Sequence, residues 1–133
     1  MSEFPPLTHV ALTVRDLSVS VPWYEALFGS QPVIDEDTEP DMHHTVYLVG
    51  GGTLIGLHQH GTPAPAAGFS EFRVGLDHVS FGVADRTELE KWAARLDELG
   101  IERGRIKDAP YGSGVGFRDP DGIALEFFAP PTA

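Results

Sequence analysis

The sequence predicts an α+β fold made of two tandem βαβββ modules. The main observation is a pattern that occurs twice: 7–14 and 76–83 are both typical of a buried strand, and each has a histidine near its start, His9 and His78. A self-similar half indicates one structural unit used twice. Further pairs follow in the same order, and these are Asp16 with Asp85, Trp23 with Trp92, and Gly29 with Gly100.

The first module begins with the strand at 7–14. A helix is predicted next, because Asp16 can cap its start, apolar residues recur at helical spacing over 23–28, and Gly29 can end it. Pro22 is expected in the first helical turn, where its missing N–H costs nothing. Three strands follow, predicted at 31–35, 44–49 and 53–58.

The second module repeats this order after a segment with the composition of a linker. A strand is predicted at 75–83, and Asp85 with Glu88 has capping-box spacing at the start of a helix that ends at Gly100. The last strands are predicted at 101–107, 114–118 and 123–128. The whole chain of 133 residues is then one domain, with module one at 5–58, the linker at 59–72 and module two at 73–130.

Composition excludes several classes of partner. The net charge is −11, so neither nucleic acid nor an anionic membrane is expected to bind, because both need clustered Lys and Arg. Arg103, Arg105 and Lys107 are interpreted as a solvated strand face, and the acidic run 35–41 as an exposed loop. There is no cysteine, no signal peptide pattern and no apolar run long enough for a membrane span, so we expect a cytoplasmic protein.

Three residues form the candidate chemical centre. Glu126 lies in the otherwise apolar strand 123–128, where a buried carboxylate is costly unless it is paired or binds a cation. Alternation along the strand puts Phe128 on its face. His9 and His78 occupy equivalent positions in the two modules. Two histidines and one carboxylate are the ligand set that holds a divalent first-row metal and leaves coordination positions open, so His9, His78 and Glu126 are the predicted metal ligands.

The sequence resembles the vicinal oxygen chelate superfamily, which includes glyoxalase I, fosfomycin-resistance proteins, bleomycin-resistance proteins and extradiol dioxygenases. The similarity covers nearly the whole chain. It is carried by the segments 7–10, 23–29, 76–81 and 117–127, of which the last, Phe117-Arg118-Asp119-Pro120-Asp121-Gly122 followed by the glutamate strand, is the most specific. The resemblance implies two βαβββ modules around a metal-centred cleft, a small-molecule substrate and a homodimer. The cleft would be formed either within one chain or by modules exchanged between two chains.

The resemblance also implies where ligands come from. They are expected from the first and last strands of each module, which correspond here to His9, position 56, His78 and Glu126. Position 56 is Gly56, which cannot ligate, so a three-ligand site is implied rather than the four-ligand site of glyoxalase I. The metal would be Fe(II), Mn(II), Zn(II) or Ni(II).

Other polar and aromatic residues are candidates for the surrounding pocket. His58 shares the face of Gly56 and is a candidate acid/base or ligand, and Tyr111 is a second catalytic candidate. His44, Tyr47 and Phe128 are candidate substrate-binding residues. Tyr47 could instead have a structural role in packing of its strand. Tyr111 could instead anchor a glycine-rich loop.

The leading functional hypothesis is a metal-dependent enzyme that chelates two neighbouring oxygens of a small substrate. On ligand pattern, ring cleavage or other oxygenase chemistry comes first, followed by glyoxalase-like isomerisation and thiol transfer. A fosfomycin-type reaction is disfavoured, because it needs a cationic, hydroxyl-rich pocket while the chain is acidic and has Ala11 at the position of a hydroxyl residue. The alternatives are a bleomycin-resistance-type protein that sequesters a drug or metabolite without a metal, and a vestigial domain without catalysis.

Overall fold

The computed structural model describes residues 3–132, which fall into two compact units, one ending at Ala66 and the other beginning at Ala67. Each unit contains one four-stranded sheet and one helix in the order β-α-β-β-β. The predicted α+β fold of two tandem modules is therefore confirmed. Within this described part, neither helix is long and apolar enough to cross a membrane.

The first module has one strand parallel to its neighbour and an otherwise antiparallel sheet. Its elements are β1 His9–Thr13, α1 Leu17–Phe28, β2 Ile34–Thr38, β3 Met42–Leu48 and β4 Leu54–His60. The sheet order is β1-β4-β3-β2, with β1 parallel to β4. The last strand thus lies in the middle of the sheet, beside the first.

The second module has the same topology. Its elements are β5 Val79–Gly82, α2 Arg86–Glu98, β6 Lys107–Ala109, β7 Gly112–Arg118 and β8 Ala124–Ala129. The sheet order is β5-β8-β7-β6, with β5 parallel to β8. This order places β8, the strand of Glu126, between β5 and β7.

The helix starts follow the predicted caps, and a proline differs from expectation. Asp16 accepts a hydrogen bond from the Ser18 N–H at 2.9 Å, and Asp85 accepts one from the Glu88 N–H at 2.9 Å. Each bond satisfies an N–H that has no partner within the helix. The expectation for Pro22 is wrong, because α1 begins at Leu17 and the proline lies beyond the first turn.

Several strands differ from their predicted bounds, and two of these differences change how a segment is interpreted. The segment 101–106 is not a strand, although Arg103 makes one bridge to Phe117, and only Lys107–Ala109 forms β6. In the first module β2 spans Ile34–Thr38, so most of the acidic run predicted as a loop is an edge strand. Pairing with β3 imposes this extended conformation on residues that have low intrinsic strand propensity.

Each helix covers one face of its own sheet with aromatic packing. In the second module, Trp92 on α2 stacks on Phe127 at 4.7 Å between ring centroids, and Phe127 also stacks on Phe117 at 5.2 Å. In the first, Phe28 on α1 packs against Tyr47 at 5.3 Å. Because side chains alternate along a strand, the residues between these core positions face the other side of each sheet.

Tyr47 belongs to the core and not to a binding surface. Its side chain is 0% exposed, and its hydroxyl donates to Glu25 Oε2 at 3.3 Å. Burial raises the pKa of Tyr47, and the neighbouring Glu25 carboxylate raises it further. The predicted role in substrate binding is corrected here: strand packing, the alternative considered above, accounts for Tyr47.

An imidazole between two carboxylates holds the acidic edge strand. His43 Nε2 lies 2.6 Å from Asp35 Oδ1, and His43 Nδ1 lies 2.8 Å from Asp37 Oδ1. Both ring nitrogens must donate to satisfy both carboxylates, which is possible only for the imidazolium. The hydrogen bond to Asp35 raises the pKa of His43 above its ordinary 6.5, and the same bond lowers the pKa of Asp35 below 3.8.

We therefore expect a His43→Gln variant to lose more stability near pH 5 than near pH 9. The contribution of His43 is complete below its unfolded pKa of 6.5 and is lost as the pH rises through the raised folded value. That of Asp35 is present above its unfolded pKa of 3.8 and is lost as the pH falls through the lowered folded value. Thermal unfolding of both proteins at the two pH values measures the difference. Equal losses at both would contradict an imidazolium at this position.

Candidate metal centre

Glu126 lies at the centre of the second sheet, on the face away from α2. It pairs with Ser80 on β5 and with Gly116 on β7, while its neighbours Leu125 and Phe127 are buried on the helix side. Its side chain is 27% exposed, so the carboxylate is half-buried. The alternation predicted for this strand, with Glu126 and Phe128 on one face, agrees with this arrangement.

His78 lies immediately before β5 and is oriented toward Glu126. Its Nδ1–H donates to Asp77 Oδ1 at 2.7 Å, and its Nε2 lies 3.3 Å from Glu126 Oε1. The hydrogen bond to Asp77 is the largest cause of a raised pKa of His78. With the proton on Nδ1, the neutral imidazole keeps the lone pair of Nε2 for a ligand.

The separation of these two atoms suits a shared metal ion. Two donor atoms about 2.1 Å from one ion, at angles of about 90–110°, are about 3.0–3.4 Å apart. The 3.3 Å between His78 Nε2 and Glu126 Oε1 lies in that interval. A nitrogen and a carboxylate oxygen are also donors that divalent first-row metals accept. The second module therefore presents a donor pair that fits such an ion.

His9 has a comparable environment in the first module. Its Nδ1 lies 2.8 Å from the Thr8 hydroxyl, which can accept the Nδ1–H and leave Nε2 free. A polar residue directly precedes each histidine, Thr8 and Asp77, which is a signal in the sequence that the prediction did not use. Across 3–132, no three His, Asp or Glu side chains form a group that could hold a metal. The assignment of His9 as third ligand stays a prediction.

Gly56 occupies the position in the first module that Glu126 occupies in the second. In the parallel pairing, Gly56 is opposite Ala11, two residues after His9, and Glu126 is opposite Ser80, two residues after His78. A Cβ atom built on Gly56 would lie 3.2 Å from His58 Nε2. The imidazole of His58 therefore occupies the space above Gly56 that a longer side chain would use.

Three histidines lie together on the same open face of the first sheet. His44 and His58 are paired across β3 and β4 with ring centroids 5.5 Å apart, and His60 lies 6.4 Å from His58. His44 Nε2 is 3.2 Å from Glu36 Oε1. Burial lowers the pKa of His58, and the neighbouring histidines lower it further. A neutral His58 imidazole can accept a proton at neutral pH.

A cavity of about 240 Å³ lies on the open face of the second sheet, beside Glu126. Its walls include the predicted pocket residues Tyr111 and Phe128, whose rings stack at 6.0 Å between centroids. Tyr111 is 74% exposed. The cavity joins one candidate ligand, Glu126, to an aromatic wall within a single module. The sequence placed these residues together only in part, because Tyr111 precedes a strand whose start was predicted two residues late.

Two cations also line this cavity, and both are exposed, in agreement with their interpretation as solvated residues. Arg105 and Lys107 both border it, whereas Arg103 pairs with Asp97 at 3.0 Å. The chain has nine Lys and Arg residues. Within 3–132, only Arg105 and Lys107 among them have neither an ion pair nor a side-chain hydrogen bond. In a chain of net charge −11, two unpaired cations in one cavity favour an anionic ligand.

A larger and more open cavity of about 640 Å³ lies in the first module, and its chemistry is different. It is bordered by Asp37, Asp41 and His43 at the ends of β2 and β3. Asp37 already accepts a hydrogen bond from His43. None of His9, His44 and His58 lines this cavity. The larger of these two cavities therefore does not contain the predicted site residues, whereas the smaller one lies beside Glu126.

Comparison with protein families gives a match that covers most of the chain. The model of the Glyoxalase/Bleomycin resistance protein/Dioxygenase superfamily matches residues 7–127. Among curated proteins, the chain is 26% identical over 122 residues to the metallothiol transferase FosB of Staphylococcus saprophyticus. That alignment covers 90% of this chain and 74% of the relative. The FosB of Staphylococcus epidermidis is 27% identical over 126 residues, with 93% and 81% covered.

Solved structures share the fold. A glyoxylase/bleomycin resistance protein/dioxygenase domain from Frankia sp. EAN1pec superposes with a TM-score of 0.84 at 32% identity, covering 96% of this chain and 99% of that one. A mutant of the fosfomycin resistance protein FosX from Listeria monocytogenes, solved with Mn(II) and 1S,2S-dihydroxypropylphosphonic acid, superposes with a TM-score of 0.68. It is 19% identical and covers 95% of this chain and 93% of that one. At that identity the likeness concerns the fold alone.

Proposed function

Because the chain belongs to the Glyoxalase/Bleomycin resistance protein/Dioxygenase superfamily, we propose that it is a metal-dependent enzyme acting on a small anionic substrate with two neighbouring oxygens. The observation that carries this proposal is the donor pair of His78 Nε2 and Glu126 Oε1, 3.3 Å apart, beside a cavity lined by Arg105 and Lys107. His9 is the proposed third ligand. The ion is a divalent transition metal, and Mn(II) is the first to test because the FosX complex contains it.

The metal would act as a Lewis acid that stabilises an oxyanion developing on the substrate. The chain itself supplies the other functions. Arg105 and Lys107 bind the anionic group of the substrate, and the stacked rings of Tyr111 and Phe128 exclude water from its apolar part. His58, kept neutral by burial, is the proposed proton acceptor. His44 packs against His58 and is a candidate for contact with the substrate.

The cations of the cavity favour a group-transfer reaction over the ring cleavage that the ligand pattern alone suggests. Ring cleavage led on ligand pattern alone, and a fosfomycin-type reaction was disfavoured for lack of a cationic pocket. Arg105 and Lys107 remove that objection, and the FosB relatives are metallothiol transferases. Ala11 still lacks the hydroxyl expected in that branch, so the anion is held differently. We therefore propose metal-assisted addition of a nucleophile such as a thiol to an anionic substrate.

Sequestration without catalysis is the second candidate, because the exposed, stacked Tyr111 also suits an aromatic drug. Elemental analysis of the purified protein, followed by calorimetric titration with Mn(II), separates the two. The enzyme should bind one divalent transition metal per site, and binding of an anionic probe should strengthen once the metal is present. A protein that stays metal-free and binds an aromatic ligand equally well with and without Mn(II) would support sequestration.

The orientation of His78 gives a separate prediction. An Asp77→Ala variant should bind Mn(II) about 10–100-fold more weakly than the wild type, because the Nδ1–H of His78 loses its acceptor and the ring loses its fixed tautomer. Asp77→Asn, which keeps an oxygen acceptor, should recover much of the affinity. Calorimetric titration with Mn(II) measures both. Equal affinity of Asp77→Ala and wild type would show that the hydrogen bond does not position a ligand.

A further inference from the structure

The glycine at position 116 is not required by the backbone, in contrast to a neighbour on the same strand. Gly112 has φ 143°, and a Cβ there would collide with the ring of Phe128 and the carbonyl of Ala129. Gly116 has no left-handed φ, and its Cβ would meet nothing closer than the Leu125 carbonyl at 3.9 Å. A strand interior is normally weakened by glycine. The fold would therefore accept a side chain at 116, and what glycine provides there is space.

That space lies between the candidate metal ligand and the unpaired cations. Gly116 pairs with Glu126 on one side, and on the other side its carbonyl accepts the Gly104 N–H at 2.9 Å, next to Arg105. Gly104, Arg105, Gly116 and Glu126 all line the same cavity. Gly116 and Gly104 therefore add no side chain to the row that starts at Glu126, and Arg105 directly follows Gly104 in the chain. Two strand spacings, about 9–10 Å, separate the backbone at 126 from the backbone at 104.

We propose that Gly116 determines specificity by setting the length of the substrate. The bare backbone at this position receives the middle of a ligand whose two neighbouring oxygens lie at the Glu126 end and whose anionic group lies at Arg105 and Lys107. This inference rests on the proposed function, because it takes Glu126 as a metal ligand. The substrate is then an elongated anion that reaches across the bare backbone of Gly116 and is longer than a three-carbon phosphonate.

The test uses two probes that differ only in length and charge. Catechol carries two neighbouring oxygens, and 3,4-dihydroxyphenylpropanoate adds a carboxylate at the far end. Calorimetry on the Mn(II)-loaded wild type should give at least about tenfold tighter binding of the longer probe, from one or two charge-assisted hydrogen bonds. A Gly116→Val variant should lose at least about tenfold in affinity for the longer probe while its affinity for catechol changes less than about twofold. Its melting temperature should not fall, because a β-branched residue favours the strand.

Gly82→Val is the matched control. Gly82 lies in the same sheet, has no left-handed φ and has open space around a built Cβ, but it does not line the cavity. This variant should bind both probes as the wild type does. If Mn(II) binds and the wild type prefers the longer probe but Gly116→Val binds that probe equally well, the inference is overturned and the proposed function is not. If the Mn(II)-loaded wild type does not distinguish the probes, the inference and the anionic substrate of the proposed function are both overturned. If Mn(II) does not bind, the inference and the proposed function are both overturned.

Discussion

A Glu126→Gln variant should bind Mn(II) at least about a hundredfold more weakly than the wild type. Loss of a hydrogen bond to a metal ligand costs about 10–100-fold in metal affinity, and loss of a ligand itself should cost more. Gln keeps the shape and one oxygen of the side chain but removes the negative charge that a divalent ion needs. In the structure, Glu126 Oε1 lies opposite His78 Nε2, and Oε2 lies close to the position that a Cβ on Gly114 would take. One oxygen thus faces the histidine while the other faces the cavity. Calorimetric titration with Mn(II) measures the loss.

The metal-free variant should fold as well as the wild type. His78 and Glu126 are 44% and 27% exposed, and a partly exposed ion pair contributes little to stability. Equal melting temperatures without metal, combined with a large difference in Mn(II) affinity, would show that Glu126 is a metal ligand and not a structural residue. Glu102→Gln, which makes the same change at an exposed position, is the control. Wild-type Mn(II) affinity in Glu126→Gln would contradict the ligand assignment.

The fold was predictable because the modules repeat the same physical signals. Asp16 and Asp85 cap their helices through backbone N–H groups close in sequence, and such local bonds leave a clear trace in sequence. Edge strands leave a weaker trace in the sequence. β2 is acidic along most of its length, and its extended conformation comes from pairing with β3, which no local propensity indicates. The strand prediction for 101–106 is wrong because this segment meets the sheet only through the bridge of Arg103 to Phe117 and the hydrogen bond of Gly104 to Gly116, which is too little for a strand.

The site was predictable where duplication singled out residues. His9 and His78 stood out because they recur, and Glu126 because it is a carboxylate in an apolar strand. The place of Arg105 at the cavity was not predicted, because it depends on a segment that follows the sheet without joining it as a strand. The absence of a partner for Arg105 and Lys107 is likewise a property of the folded chain, since sequence does not tell which cations find carboxylates.

The second large effect is expected from removing both of these cations. An Arg105→Ala, Lys107→Ala double variant should bind 3,4-dihydroxyphenylpropanoate about tenfold or more weakly than the wild type, because contact with an exposed cation contributes up to about 1 kcal/mol and two contacts are lost. Binding of catechol, which is uncharged, should change little. Because the chain has a net charge of −11, an anion is repelled at long range and depends on these two local charges.

The salt dependence distinguishes direct contact from a general change of charge. Wild-type affinity for the anionic probe should fall as salt is raised from about 0.05 to 0.5 M, because ions screen the two exposed cations, and the affinity of the double variant should depend little on salt. Lys91→Ala with Arg95→Ala removes the same charge from α2, where Lys91 pairs with Glu88 and Arg95 with Glu98 on the helix surface. That control should keep wild-type affinity and salt dependence. An equal loss in both double variants would mean that net charge, not the cavity, governs binding of anions.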